Sequence, residues 1–188
     1  MSLRRPSSPR IPPVQRILDV MSERRDTSQP GAYNIGATVG TNRAVGKALS
    51  AYARVLMDEG SLDPRLREIV ILRIGWDAQS VYEFGQHTLF GGRAGLSDEE
   101  IYGLTRPISQ GDWGPVERAL IQMTDDIYAD DCVSDATWSD LKAHLSDADI
   151  IEAMAVVMNW RTASTLLNSC GVELDAGVPG WPTAPCGG

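Results

Sequence analysis

DPRLREIVILRIGW, residues 63–76, is the stretch on which the fold turns. Asp63 can accept hydrogen bonds from the first free N–H groups of a helix, and Pro64 stands at the first helical position, where its missing N–H is no loss. The run that follows is apolar on most sides, which suits a helix at the centre of a bundle better than one at its surface. Outward from there, a second helix begins around Gln79 and runs to Gly91-Gly92. Ser97-Asp98-Glu99-Glu100 forms a capping box that opens a helix containing Ile101 and Leu104. Pro115 starts the next, Ser134 caps another, and Ser146 opens the last and longest, with Gly171 as its C′ residue.

Upstream, Asn42 caps a helix whose Val45, Leu49, Tyr52 and Leu56 make an apolar stripe ending near Gly60. Residues 26–41 read as a long Gly-rich connection, and Val14, Ile17, Leu18 and Met21 mark a first helix after Pro13. No segment sustains the period-two alternation of a strand. The expectation is an all-α protein with a single helical domain at 14–177, a Pro-, Ser- and Arg-rich arm at 1–13 and a Pro/Gly-rich tail at 178–188.

The 188 residues are 43 % hydrophobic and 22 % charged, enough for one packed core. Net charge is −8, from 25 acidic and 17 basic residues, which disfavours nucleic acid and anionic membrane surfaces as partners. Apolar runs such as Ile69–Leu72 and Ala153–Met158 are far too short to span a bilayer, and no apolar segment follows the basic N-terminus as a secretory signal would require. Cys132, Cys170 and Cys186 are odd in number and widely spaced, which suits a reducing, cytoplasmic compartment and offers neither a disulfide scaffold nor a zinc ribbon.

Chemistry concentrates in Ser80-Val81-Tyr82-Glu83-Phe84-Gly85-Gln86-His87. On a helix Ser80, Glu83 and His87 share one face, so a carboxylate one turn from an imidazole can orient it as a proton donor or acceptor. The same spacing often arises by chance on exposed faces and by itself favours a structural role. Glu83 with His87 gives two ligands at most, so no metal site is expected. The segment 31–40 lacks the glycine spacing of a nucleotide site. Arg73 and Arg161, each set in apolar sequence, can clamp a substrate carboxylate or pair with Glu68 or Glu152 as structure.

The run from Leu62 to Ile101 carries D-P-R-x-R-E, then Tyr82-Glu83-x-Gly85-Gln86-His87, then Ala94-Gly95-Leu96-Ser97-Asp98-Glu99-Glu100-Ile101. These motifs resemble the carboxymuconolactone decarboxylase and alkylhydroperoxidase-D-like superfamily, and the resemblance extends over about residues 33–175. It implies an alkylhydroperoxidase-D-like helical bundle, usually assembled as homo-oligomeric trimers or hexamers. In peroxidase-type relatives a C-x-x-C precedes the His, and a Glu on the preceding helix relays protons. Those positions fall here on Ser80 and Glu83, on His87 and on Glu68. Neither Ser80 nor Glu83 can form a thiolate or a disulfide, so thiol peroxidase chemistry is not expected.

The resemblance instead implies a cofactor-independent enzyme that decarboxylates or isomerises a small lactone or carbonyl acid. His87 is expected as proton donor and acceptor, Glu83 as its partner and Glu68 as a second carboxylate in the pocket. Ser80, Arg73, Trp76 and Arg161 are expected to contact substrate. A lactone hydrolase or dehydratase on the same residues, or a non-catalytic oligomeric binding protein, are the alternatives.

Overall fold

The computed structural model describes residues 33–184, all α-helical among those residues, with no strand. The arm at 1–13, the helix expected after Pro13 and Cys186 lie outside them. Eight α-helices follow in order: α1 Asn34–Gly40, α2 Arg43–Arg54, α3 Pro64–Asp77, α4 Val81–Arg93, α5 Asp98–Gly103, α6 Pro115–Asp130, α7 Asp135–Lys142 and α8 Asp147–Cys170. One π-helical turn, Val55–Glu59, prolongs α2, and one 3₁₀ turn, Ile108–Gln110, precedes α6.

The helix starts follow local chemistry. Asp63 accepts from the N–H groups of Arg65 and Leu66, and Ser97 with Glu100 completes both bonds of its capping box. Ser134 accepts from Thr137 N–H and Ser146 from Asp149 N–H. Gly171 takes φ +65° at the end of α8, a conformation open to glycine at little steric cost.

Helix α3 is buried on every side from Arg67 to Gly75. Val70, Ile71 and Ile74 pack with Leu120 and Met123 of α6 and with Val156, Val157 and Trp160 of α8. Ile69 and Leu72 face the other way, into Phe84, Leu104, Trp113 and Ile121. Each such side chain removed from water contributes roughly 1.5–3 kcal/mol, so the central position of α3 is a matter of area.

Three expectations are revised. The Gly-rich segment 26–41 contains a helix, α1, despite Gly36 and Gly40. Tertiary bonds outweigh the poor propensity: Asn34 N–H donates to Asp175 at 2.9 Å, and Ile35 N–H to the Tyr82 hydroxyl at 3.2 Å. Of the stripe Val45, Leu49, Tyr52 and Leu56, Leu56 at the π-helical turn enters the core, while Val45 and Tyr52 are exposed and Gly46 is the buried residue of α2 itself. The segment 178–184 is packed rather than trailing. Trp181 stands edge-on to Trp76 with ring centroids 5.2 Å apart, and the Pro179 carbonyl lies where a Cβ on Gly85 would fall, 2.2 Å away. Gly85 is thus required by close approach.

Candidate functional site

The joint between α3 and α4 sets the site. Gln79, with φ +53°, turns the chain, and Ser80 caps α4, its hydroxyl 3.5 Å from the Glu83 N–H it accepts. In a full capping box the Glu83 carboxylate would reach back to Ser80 N–H. That N–H already donates to Gly75 C=O at 2.9 Å. Glu83 is left to face a pocket between α4 and α8.

One turn later His87 is held from both sides. Glu68 of α3 lies 2.7 Å from Nδ1, and the Trp160 indole N–H of α8 donates to Nε2 at 2.8 Å. An indole N–H can only donate, so Nε2 carries the lone pair and the proton sits on Nδ1, directed at Glu68. Arg67 Nε is 3.7 Å from the other oxygen of Glu68. Glu83 Oε2 lies 3.8 Å from His87 Nε2, beyond hydrogen-bond reach. The carboxylate bonded to the imidazole is therefore Glu68, from the neighbouring helix, and not Glu83, its i,i+4 neighbour. Phe90 flanks the ring, tilted, at 5.3 Å between centroids.

Glu83 is buried and its Oε1 has no hydrogen-bond partner. Burial pushes its carboxyl up to about 7, only partly offset by the nearby His87. A group in the first turn of a helix would ordinarily be favoured as an anion; desolvation outweighs that. The cavity it faces holds about 250 Å³. Its wall comes from Tyr82, Gln86, His87 and Phe90 of α4, Asn159, Trp160 and Ala163 of α8, and Ile35 and Ala53 of α1 and α2. The site can therefore keep a neutral carboxylic acid or its anion against a largely apolar ligand near neutral pH.

Of the seven residues singled out from sequence, Glu68, Glu83 and His87 come together. Ser80 does not reach the cavity; it is fully buried and serves as the cap of α4. Arg73 is saturated elsewhere. Its Nε and one terminal nitrogen grip both oxygens of Asp125 at 2.6 and 2.7 Å, and the other donates to the carbonyls of Leu104 and Arg106. Trp76 packs with Trp181 on the far face of α3. Arg161 points away, donating to Ile127 C=O and Asp131 over the Tyr128 ring.

Sequence reasoning missed Trp160, Asn159 and Asp175 in these roles. The buried positions of α8 (Ala153, Val156, Val157, Trp160, Ser164, Leu167) keep helical spacing, so the core face carries Trp160 while Arg161, one residue on, is rotated off it. Asp175 accepts from Asn34 N–H, and from the Tyr82 hydroxyl and the Gln86 amide at 2.5 Å each, tying α1 and α4 to the chain end. The Tyr82 hydroxyl is raised well above the usual phenol range, by burial first and then by its bond to Asp175. Among the described residues no group of three or more His, Cys, Asp or Glu side chains is placed to hold a metal ion, and no helix is long and apolar enough to cross a membrane.

The comparisons with known proteins fall on this same region. Residues 43–126, which include Glu68, Glu83 and His87, match the sequence profile of the carboxymuconolactone decarboxylase family. No curated protein matches the chain. Among solved structures, a protein of unknown function from Agrobacterium tumefaciens, likened to the antioxidant defence protein AhpD, superposes with TM-score 0.68 at 20 % identity, over 72 % of this chain and 94 % of that one. An uncharacterised peroxidase-related protein from Ralstonia eutropha, with an alkylhydroperoxidase AhpD core, gives 0.70 at 19 % identity over 77 % of each chain. A debrominase, in a complex of its Cys-to-Ala variant with 2,3,4-tribromopyrrole, gives 0.67 at 15 % identity over 90 % of this chain and 94 % of that one. Residues 43–126 thus resemble the carboxymuconolactone decarboxylase family, and the chain shares the helical fold of alkylhydroperoxidase-D-like proteins.

Proposed function

We propose that the chain is a cofactor-independent acid–base enzyme that moves a proton on a small carbonyl compound, with Glu83 as the group that carries it. The observation behind this reading is a buried carboxyl with an unpartnered oxygen, facing an apolar cavity and titrating near 7. As an anion Glu83 takes a proton from carbon next to a carbonyl; as an acid it returns one to the conjugated position. That exchange is isomerisation. The acid form alone serves decarboxylation, by protonating the carbanion left when carbon dioxide departs. Isomerisation uses both forms of Glu83 and fits the apolar wall better than an acid substrate does.

His87 then acts as a positioning residue in the resting arrangement, since both its nitrogens are engaged. Its Nε2 edge faces Glu83, and the Trp160 N–H beside it is a donor that a substrate oxygen can take over. Thiol peroxidase chemistry is disfavoured, because Ser80 is a helix cap and Glu83 a carboxyl where that cycle needs two thiols. The halogenated ring bound by the debrominase supports a compact apolar ligand on this fold. The outward Val45 and Tyr52 of α2, with Ile151 and Met158 of α8, support assembly with further copies of the chain.

The test is deuterium uptake from heavy water into a panel of cyclic enones, lactones and β-keto acids, with carbon dioxide followed in parallel. Glu83→Gln should lose exchange by about 10²–10⁴-fold while keeping its fold. Carbon dioxide release without exchange into the neutral compounds would make it a decarboxylase. No reaction with any of them would leave the binding-protein reading in possession of the site.

A further inference from the structure

The cavity at Glu83 has a neighbour. A second cavity of about 300 Å³ lies between α1, α2 and α8, walled by Val39, Leu49, Ser50 and Leu166. The two share Ile35, Ala53, Asn159 and Ala163, so they adjoin along one wall. At about 250 Å³ the first falls just short of the roughly 300–1,000 Å³ of small-molecule sites; joined to the second it lies well within it. Among the described residues neither wall includes Lys or Arg. Arg67, the cation next to Glu68, turns instead to that carboxylate and to Leu56 C=O. One uncharged polar side chain, the amide of Asn159, stands on the shared wall.

We infer that the two cavities form one elongated pocket for an uncharged carbonyl compound with an extended apolar tail. The carbonyl lies between Glu83, His87 and Asn159, and the tail runs along α8 beneath α1 and α2. This deepens the proton-transfer reading and rests on it for the position of the carbonyl. An anionic head is disfavoured on two counts: no cation on the wall receives it, and above neutral pH it meets the Glu83 carboxylate. The tail follows from the second cavity's wall, where Val39, Leu49, Ala163 and Leu166 offer dispersion contact.

The experiment is a calorimetric binding series on the full chain, with straight-chain methyl ketones of increasing length from acetone upward and carboxylates of matching length. Binding is read without turnover. Affinity for the ketones should rise about fourfold per added methylene, the equivalent of ~0.8 kcal/mol, and level off once the second cavity is full. The carboxylates should bind at least about tenfold more weakly at pH 8. Ser50 is exposed and, of the two cavities, lines only the second. Ser50→Phe should therefore flatten the series while leaving the shortest ketones unaffected, and Ser50→Ala should keep it.

Affinity independent of length, or a series that Ser50→Phe leaves unchanged, would overturn the inference and assign the second cavity to contact with protein. A length-dependent series without proton exchange keeps the pocket and removes the enzyme. Exchange on short ketones with no length dependence does the reverse.

Discussion

Two buried polar clusters stand on α3, and they are finished differently. Around Arg73 the guanidinium is closed: both Asp125 oxygens and two backbone carbonyls take up its N–H groups. Around His87 the ring is closed by Glu68 and Trp160, but Glu83 next to it keeps an oxygen without a partner and a cavity in front of it. A buried polar group left unpaired destabilises the fold, whereas a complete set holds helices in register. The difference separates a cluster whose cation is paired within the fold from one that keeps an unpartnered carboxyl oxygen at a pocket.

The largest effect should come from breaking the closed cluster. Arg73→Ala leaves Asp125 buried without its bidentate cation and should cost about 3–5 kcal/mol in urea unfolding. A loss under 1 kcal/mol (about the worth of a surface pair) would show that the cluster is hydrated and that the contrast with the Glu83 site is false.

At the open cluster the sign reverses. Glu83 is raised in the folded protein from its ordinary 4.5 to about 7, so between those values the native state holds a proton that the unfolded chain has lost. Stability therefore falls as pH rises through this window and stays at its lower level above it. Glu83→Gln removes the penalty. It should be more stable than wild type by up to about 3 kcal/mol at pH 8, roughly equal at pH 4, and inactive. Urea titrations at the two pH values decide it. Equal stability at both would mean that Glu83 ionises freely and does not carry the proposed role.

How much of this was legible beforehand depends on how far apart in the chain the partners lie. The caps at Asp63, Ser97, Ser134 and Ser146 were readable, because each bond spans only two or three residues. So was the central place of α3, from its lack of a polar face. Arg73 as a substrate clamp was a fair reading of an arginine in apolar sequence, but its partner is 52 residues away. The exchange of roles between Glu68 and Glu83 has the same origin: helix spacing shows i,i+4 neighbours and cannot show the register of α3 against α4. Ser80 was the avoidable miss, since Ser80-x-x-Glu83 is itself the signature of a capped helix start. Helix α1 was hidden because what holds it, Asp175 and the Tyr82 hydroxyl, comes from the far end of the domain and from α4.

A finer cut through the comparison is Trp160. Its indole belongs to both kinds of cluster at once, packed in the core with Ile71 and Val156 and donating into the site. Trp160→Phe keeps a ring in the core and deletes the donor to Nε2, leaving His87 a buried acceptor without its partner. The stability loss should be about 1–3 kcal/mol, smaller than for Arg73→Ala because the deleted bond is neutral. The ¹⁵N signal of His87 Nε2 should shift as its bond is removed, while Nδ1 stays protonated against Glu68. If Nδ1 instead loses its proton when the indole is gone, Glu68 is not what fixes the ring, and the cluster at His87 is less complete than the one at Arg73. If neither nitrogen responds, the indole contact is packing alone, and His87 stands as open to a ligand as Glu83.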